Sequence, residues 1–288
     1  MTVETIKLTG KPVFEYLRGN IKTRVAELKE IGLVPRILII RVGQREDDIF
    51  YERSILKNCS ILDIEGITKE LSKNVSMEEL IGIIEGANND NDIHGIMIFR
   101  PLPAHLNQRK VLEILNPKKD IDGMTHVNLE RIFEGDESGF SSCTPKAVIE
   151  MLKYYDIPLK GSNVTVVGRS LVVGKPLTML LLNENATVTI CHSKTKNIKS
   201  ITSSADVVVS AIGQAKFMNE EFFTESSIVV DVGVNDDGNG KICGDVDYDS
   251  VFGKVKALTP PTSGIGSITT TILLDQAVKA CEMQVASL

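Results

Sequence analysis

The sequence predicts an α/β fold with mainly parallel sheets, divided between two domains. Short apolar runs alternate with segments of helical periodicity in both halves of the chain. This alternation is typical of βαβ units, whose strands run parallel. The 288 residues suffice for two domains, since one domain takes about 150 residues. Polar or glycine-rich connections follow several apolar runs, at the strand ends where α/β proteins place their binding sites.

Three helices and two strands are predicted in the first half. Pro12 suits a first helical turn, and apolar residues then recur every three or four positions until Gly32 provides a stop. Ser76 and Glu79 have the spacing of a capping box for a later helix. Two short apolar runs are typical of buried parallel strands. The predicted segments are helix 12–31, strand 36–42, helix 48–62, helix 76–86 and strand 94–99.

The second half continues the alternation after a polar boundary. Between residues 128 and 142, glycine, serine and aspartate reduce the apolar content, so the domain boundary is predicted there. Strands are then predicted at 163–167, 187–191, 205–211 and 227–232, with helices at 176–183 and 269–283.

Composition and charge exclude several classes of protein. Acidic residues (38) outnumber basic residues (32), and a net charge of −6 lacks the electrostatic footprint of a nucleic-acid-binding protein. The apolar runs are far shorter than the ~20 residues that span a bilayer, and the N-terminus does not have the pattern of a signal peptide. Five scattered cysteines indicate reduced thiols. We therefore expect a cytoplasmic protein with neither nucleic-acid nor membrane partners.

A glycine loop joins the strand 163–167 to its helix. Gly168 and Gly174 would let backbone N–H groups approach a pyrophosphate at the helix N-terminus. The loop is not the common G-x-G-x-x-G pattern, so an ordinary turn is an alternative. After the next strand, Ser193 and Lys194 stand where an NAD site usually carries a carboxylate. With Arg169 they suit a 2′-phosphate, which favours NADP, although Lys194 could also be a solvated surface charge.

Candidate catalytic side chains lie on the second predicted helix. Ile55 falls on the same face as Tyr51, whereas Lys57 lies about 120° from Tyr51 and points elsewhere. Lys57 could act as a base or donor if apolar neighbours lowered its pKa, or it could extend to solvent. Asp120 and Asp122 lie in a turn-rich segment without further metal ligands, so turn formation is the alternative to metal binding.

Together these residues resemble the methylenetetrahydrofolate dehydrogenase/methenyltetrahydrofolate cyclohydrolase family. The similarity covers essentially the whole chain, and the joint order and spacing of its motifs are very specific. The motifs are Val42-Gly43 with Tyr51, Gly95 to Pro103, Pro117 to Gly123, Cys143-Thr144-Pro145, and the segments 168–176, 186–193, 231–235 and 244–246.

The resemblance implies two α/β domains flanking a cleft, the second a Rossmann-like NADP-binding domain, and a homodimer. Residues 1–138 with the C-terminal helix 269–288 would form the folate-binding catalytic domain, and 139–268 the NADP-binding domain. Tyr51 would line the pterin site and Asp122 would hold the pterin ring; Lys57 is a second catalytic candidate. Gly264 and Thr269 would also bind the tetrahydrofolate substrate. The cofactor residues would be Gly168, Arg169, Ser170, Gly174, Ser193 and Val234.

This chain departs from the family pattern at the proton-transfer residues. Ile55 occupies the position of the family's catalytic lysine, four residues after the tyrosine. Where the family usually has Val-Gln-Leu-Pro-Leu-Pro, this chain has Ile-Phe-Arg-Pro-Leu-Pro, so Phe99 replaces the glutamine that partners the lysine. Neither isoleucine nor phenylalanine has a side-chain donor or acceptor. Segment 259–269 keeps two of the family's glycines but loses several substrate-side residues.

These observations predict NADP-dependent oxidation of 5,10-methylenetetrahydrofolate to 5,10-methenyltetrahydrofolate. Hydride transfer mainly requires orientation of two bound partners. Hydrolysis to 10-formyltetrahydrofolate requires proton transfer, so this second family activity is expected to be weak or lost. The alternatives are a fully bifunctional enzyme, a non-catalytic NADP-binding homologue, and a shikimate-type dehydrogenase, whose usual G-A-G-G loop is absent from this chain.

Overall fold

The computed structural model describes residues 4–286, which form two compact units. Within the described residues, one unit combines 4–14 with 144–269, and we call it the 144–269 unit. The other combines 15–143 with 270–286, and we call it the 15–143 unit. The predicted α/β class with mainly parallel sheets is confirmed in both.

Strands and helices alternate along most of residues 4–286. In chain order the elements are β1 (Ile6–Lys7), α1 (Gly10–Glu30), β2 (Arg36–Val42), α2 (Glu46–Ile61), β3 (Glu65–Leu71), α3 (Met77–Asn89), β4 (Gly95–Ile98), α4 (Gln108–Ile114), α5 (His126–Glu134), α6 (Cys143–Tyr154), β5 (Asn163–Val167), α7 (Gly174–Asn183), β6 (Thr187–Cys191), α8 (Ile198–Ser203), β7 (Val207–Ser210), a 3₁₀ turn (Glu220–Phe222), β8 (Ile228–Asp231), β9 (Asn235–Asp236), β10 (Ile242–Cys243), α9 (Tyr248–Val251), β11 (Ala257–Leu258) and α10 (Ile265–Val285).

The 15–143 unit contains a parallel sheet in the order β3-β2-β4. Strand β2 is almost fully buried at its centre, as its apolar run predicts. The capping box is confirmed, since the Ser76 hydroxyl accepts a hydrogen bond from the Glu79 N–H at 3.1 Å. The sequence pattern does not predict strand β3. This strand lies at the edge of the sheet, and most of its residues are polar and at least partly exposed, so it has no continuous apolar run. Nor does it predict helices α4, α5 and α6; α4 and α5 span only seven and nine residues.

The 144–269 unit contains a parallel six-stranded sheet, within the described residues, in the order β1-β11-β8-β7-β5-β6. Strands β5 and β6 have the predicted bounds, and β7 and β8 are shorter than predicted at both ends. The sequence-based division assigns the first 14 residues to the folate-binding domain. In the structure residues 4–14 join the 144–269 unit, because Ile6 pairs with Ala257 at the sheet edge. A two-residue strand is too short to give a readable pattern.

Helix α10 begins four residues before its predicted start. Most of it belongs to the 15–143 unit, where Arg24 of α1 forms ion pairs with its side chains. The Arg24 guanidinium donates to Asp275 at 2.5 Å and to both carboxylate oxygens of Glu282 at 2.8 and 2.6 Å. This charged clamp holds the C-terminal helix to α1.

Two further predictions concern cysteines and membranes. Throughout residues 4–286 the five cysteines are buried and form no disulfide, in agreement with the predicted reduced thiols. Over the same residues, no helix combines the length and the apolar character needed to cross a bilayer.

Ser76→Ala should selectively loosen α3, because it removes the acceptor of the first-turn Glu79 N–H. The expected cost is about 1 kcal/mol in local opening free energy. Native-state hydrogen exchange of the α3 amides should therefore accelerate about fivefold, while α10 amides stay protected. The matched control is Ser60→Ala, at an exposed serine in α2, with little expected effect. Unchanged exchange in α3 would show that the cap contributes nothing.

Candidate active site

Two neighbouring strands of the 144–269 unit place the predicted cofactor residues at one sheet edge. Val167 pairs with Cys191, and the Gly168 N–H donates to the Cys191 carbonyl at 2.9 Å. The next residues of each strand, including Arg169 and Ser193, therefore emerge side by side. Both are exposed, as is Lys194. The geometry agrees with a site for an anionic ligand at the carboxyl ends of the strands.

Glycines in the predicted phosphate loop are required by close backbone contacts. Gly168 has φ +133°, and a Cβ there would lie 2.3 Å from the Ala211 carbonyl oxygen. A Cβ on Gly174 would lie 2.2 Å from the Gly168 carbonyl oxygen. The Ser170 hydroxyl accepts from the Val173 and Gly174 N–H groups at 3.1 and 3.4 Å. The loop is therefore a tight cradle that leads into the N-terminus of α7.

A buried pair of carboxylates supports the next two strand ends. Asp245 accepts from the Ser210 hydroxyl, from the Ile212 and Gln214 N–H groups and from the Asn235 amide, at 2.8–3.1 Å. Asp231 accepts from three backbone N–H groups, those of residues 233, 245 and 246. Burial raises the pKa of Asp231 to about 6.

These bonds fix the loop that presents Val234, a predicted cofactor residue. Val234 follows β8 and is 73% exposed. An exposed apolar side chain at this position can pack against the face of a flat ring of a bound cofactor.

In the 15–143 unit, Tyr51 lies in an apolar environment. The Tyr51 and Phe99 rings meet edge to face, with centroids 6.1 Å apart. Ile55, one helical turn after Tyr51, is fully buried. The Tyr51 hydroxyl bonds to the Thr270 side chain, and burial raises the pKa of the phenol. Tyr51 is thus a neutral hydrogen-bonding group at neutral pH.

The second catalytic candidate is not part of this cluster. Lys57 is exposed, on the side of α2 turned away from the buried Ile55. The helical geometry therefore separates Lys57 from Tyr51, as the residue spacing predicts.

Asp122 forms the charged part of the cluster. The Arg100 Nη2 donates to Asp122 Oδ2 at 2.7 Å, and the two side chains are only 15% and 27% exposed. Burial raises the pKa of Asp122, and the Arg100 charge opposes that rise. The Cys143 thiol donates to the Ile121 carbonyl at 3.5 Å, and burial together with the Asp122 charge raises the thiol pKa.

Asp120, by contrast, is a structural residue. It is buried, and Oδ2 accepts from the Met124 and Thr125 N–H groups and from the Asn128 amide, at 2.7–2.9 Å. The turn alternative therefore describes Asp120, whereas Asp122 has a charged side-chain partner.

Sequence reasoning misses Arg100, Cys143 and Gln276 as members of this site. Gln276 donates to the Ile121 and Ser141 carbonyls at 2.7 and 2.9 Å, which fixes the backbone beside Asp122. The replacement of a leucine by Arg100 in an otherwise apolar motif is the available signal. Gln276 gives no signal, because its partners lie far away in sequence.

The remaining predicted substrate residues, Gly264 and Thr269, lie in the 144–269 unit. Gly264 is part of the turn that receives the start of α1, since a Cβ on Gly10 would lie 2.2 Å from the Gly264 carbonyl oxygen. The Thr269 hydroxyl donates to the Ile265 carbonyl at 3.3 Å. Their role in substrate binding stays a prediction.

Comparison with protein-family models identifies both parts of the chain. Residues 8–122 match the catalytic domain of tetrahydrofolate dehydrogenase/cyclohydrolase, and residues 142–285 match its NAD(P)-binding domain. The chain belongs to the tetrahydrofolate dehydrogenase/cyclohydrolase family. The resemblance that the sequence motifs indicate is thus confirmed.

Individual relatives are similar over nearly their whole length. Bifunctional protein FolD 1 of Desulfitobacterium hafniense is 51% identical over 96% of this chain and 99% of its own. FolD of Clostridium botulinum (strain Langeland) is 52% identical over 96% and 98%. The structure of the bifunctional FolD from Campylobacter jejuni matches with a TM-score of 0.94 at 35% identity, over 97% of this chain and 99% of its own.

Two further solved structures are similar, one from the same family and one that shares only the fold. The FolD of Trypanosoma brucei, complexed with NADP cofactor and inhibitor, matches with a TM-score of 0.92 at 29% identity, over 98% of this chain and 99% of its own. Shikimate dehydrogenase of Aquifex aeolicus reaches a TM-score of 0.53 at 13% identity, over 88% and 93%, which shows a shared fold alone. The family assignment therefore excludes the shikimate-type alternative.

Gly168→Ala should weaken cofactor binding, because the added Cβ would displace the loop from the Ala211 carbonyl. We expect NADP affinity, measured by calorimetry, to fall about tenfold or more. Gly161→Ala in the same unit is the matched control: Gly161 also has positive φ (+79°), but its Cβ would meet nothing within 4 Å. Equal effects of the two substitutions would mean that backbone strain, and not the loop contact, is responsible.

Proposed function

We propose that this protein oxidises 5,10-methylenetetrahydrofolate to 5,10-methenyltetrahydrofolate with NADP, and that its hydrolysis of the methenyl bridge is weak or lost. The first part follows from the family and from the cofactor cradle. The second part rests on one observation: the side chain one turn after Tyr51 is the fully buried, apolar Ile55.

The cofactor fits the residues of the 144–269 unit. Gly168 and Gly174 allow the loop to pack tightly against the backbone of Ala211 and of Gly168 itself, and the N-terminus of α7 would favour the charge of a pyrophosphate. Arg169 and Ser193 would hold the 2′-phosphate, and Ser170 and Val234 would complete the site. NADP, when bound, accepts the hydride from the one-carbon bridge of the substrate.

The folate side needs orientation more than proton transfer. Tyr51 would pack against the pterin, and Asp122 would accept hydrogen bonds from the pterin ring nitrogens. Hydride departure leaves a cation shared by the two nitrogens that flank the bridge, so no strong acid or base is required. A protein with Tyr51 and Asp122 but without a base can therefore perform this step.

Hydrolysis has different requirements. Water must be activated and a proton delivered to a leaving nitrogen. Ile55 and Phe99 cannot do either, and Lys57 is exposed on another side of α2. The relatives from D. hafniense and C. jejuni are named as bifunctional proteins, so a fully bifunctional enzyme is the alternative, and it would need a base other than Ile55.

Three further properties are also proposed. A homodimer and tetrahydrofolate one-carbon derivatives as the small-molecule partners are proposed from the family resemblance, and a cytoplasmic location is proposed from the scattered, reduced cysteines. A non-catalytic NADP-binding protein is the remaining alternative, and an assay with NADP and methylenetetrahydrofolate distinguishes it. Formation of NADPH and methenyltetrahydrofolate supports the dehydrogenase, whereas NADP binding without turnover supports the alternative.

NADP should outcompete NAD as cofactor, because Arg169 and Ser193 are available to an additional phosphate at the strand ends. Arg169→Ala combined with Ser193→Ala should abolish the preference by removing donors to that phosphate. The measurement is kcat/KM with each cofactor for both proteins. Equal efficiency with NAD and NADP in the unmodified protein would contradict the assignment.

Dehydrogenase activity should far exceed cyclohydrolase activity, because a positioned proton-transfer group contributes about 10²–10⁴-fold to rate. The double substitution Ile55→Lys with Phe99→Gln should raise the hydrolysis rate more than either single substitution, since a lysine beside Phe99 lacks an orienting amide. Both rates are to be measured on the unmodified protein and on all three variants.

Lys57→Ala provides the opposing test. It should leave both rates unchanged, because Lys57 is exposed and points away from Tyr51. A robust cyclohydrolase rate in the unmodified protein that Lys57→Ala abolishes would make Lys57 the working base and would overturn the second part of the proposal.

A further inference from the structure

The Arg100–Asp122 ion pair lies close to Tyr51 and is largely enclosed. Arg100 follows β4 directly after Phe99, and Asp122 lies in the turn after the bridge between Ile96 and Asp120. The Nη2–Oδ2 distance is 2.7 Å, and both side chains are mostly withdrawn from solvent. Such a pair is favourable only when both partners are present, because removal of one leaves an uncompensated charge.

The groups that face Asp122 offer no second cation. The Cys143 thiol donates to the Ile121 carbonyl, and it is neutral because burial and the Asp122 charge raise its pKa. Tyr51 is neutral, since burial raises its pKa as well. Asp120 adds a negative charge nearby, although its Oδ2 accepts from backbone and amide donors. Arg100 is therefore the charge that opposes the burial-driven rise in the pKa of Asp122.

At positions 55 and 100, the family pattern has a charged and an apolar residue in the opposite order to this chain. In the motifs of the family, a lysine stands at position 55 and a leucine at position 100, whereas this chain has Ile55 and Arg100. We propose that Arg100 replaces the missing lysine as the cation of the folate site, and acts as a positioning residue that holds Asp122 ionised and oriented to accept hydrogen bonds from the pterin. This inference rests on the proposed function.

The exchange preserves charge without preserving proton transfer. A guanidinium stays protonated at every physiological pH, whereas a lysine ammonium in an apolar site can lose its proton and act as a base. Arg100 can therefore donate hydrogen bonds and balance a carboxylate, but it cannot cycle a proton to water or to a leaving nitrogen. The site would bind and orient folate for hydride transfer and would be unsuited to hydrolysis.

The test measures folate binding directly. The probe is 5-formyltetrahydrofolate, titrated by calorimetry into the unmodified protein and into Arg100→Leu, Arg100→Lys, Asp122→Asn and the double variant Arg100→Leu with Asp122→Asn. NADP affinity, measured on each variant, reports that the fold is intact. The matched control is Arg109→Leu, which removes an arginine that is 78% exposed and paired with Glu113 on α4.

Arg100→Leu should weaken probe binding by about ten- to a hundredfold, with NADP affinity unchanged. The loss should grow as the pH falls from about 8 to about 6. Burial raises the pKa of Asp122 and Arg100 lowers it, so without Arg100 the carboxylate takes up its proton at higher pH. Arg100→Lys should recover most of the affinity and the flatter pH profile, and Arg109→Leu should behave like the unmodified protein.

The double variant decides whether Arg100 acts through Asp122. If it does, Arg100→Leu should add little to Asp122→Asn, which has no carboxylate to ionise. Additive losses, or a pH-independent loss in Arg100→Leu that Arg100→Lys does not recover, would overturn the inference. Failure of the proposed function is recognised separately: the unmodified protein would bind 5-formyltetrahydrofolate with the expected Arg100 dependence yet produce no NADPH from methylenetetrahydrofolate. An unmodified protein that does not bind the probe would overturn the inference as well.

Discussion

Parallel strand pairing is the constraint on which both candidate sites depend. In a parallel ladder, the carboxyl ends of neighbouring strands emerge at one edge, together with the residues that follow them. The Val167–Cys191 register brings the Gly168 loop beside the turn that carries Ser193. In the other unit, the Phe99 N–H donates to the Ile40 carbonyl at 2.9 Å, which extends the β2–β4 ladder to the edge where Arg100 begins. Residues distant in sequence thus meet without long loops.

Buried carboxylates perform two different tasks at these edges. Asp231 accepts from three backbone N–H groups, and Asp120 and Asp245 accept from both backbone N–H groups and side-chain donors, so all three fix turns. Asp122 is paired with a side chain, Arg100, and retains some exposure. A carboxylate satisfied by the backbone is part of the scaffold, whereas one held by a side chain can exchange partners with a ligand. This difference separates Asp120 from Asp122 although only one residue lies between them.

The sequence predicts the elements with strong periodicity and misses those defined by tertiary contact. Strands β2, β5 and β6 have their predicted bounds; β2 and β5 are mostly buried, and buried parallel strands are rich in apolar residues. Strand β1 escapes prediction, since two exposed residues become a strand only by pairing with β11. At the folate side, helical spacing separates Ile55 from Lys57, but the Arg100–Asp122 pair depends on the turn after β4, which periodicity does not describe.

Two glycines near Asp231 and Asp245 have a consequence for how this chain can vary. A Cβ on Gly233 would lie 2.3 Å from Asp245, and a Cβ on Gly244 would lie 1.9 Å from Asp231. Gly233 therefore leaves room for the Asp245 carboxylate, and Gly244 leaves room for the Asp231 carboxylate. The segments 231–233 and 244–245 thus fit together only when both glycines are present. Strands β9 and β10 pair antiparallel as a hairpin between them, and residues 238–241 at its tip are exposed. Insertions and new loop sequences can accumulate at that tip during evolution. A change at Gly233, Gly244, Asp231 or Asp245, by contrast, requires a compensating change at its contact partner.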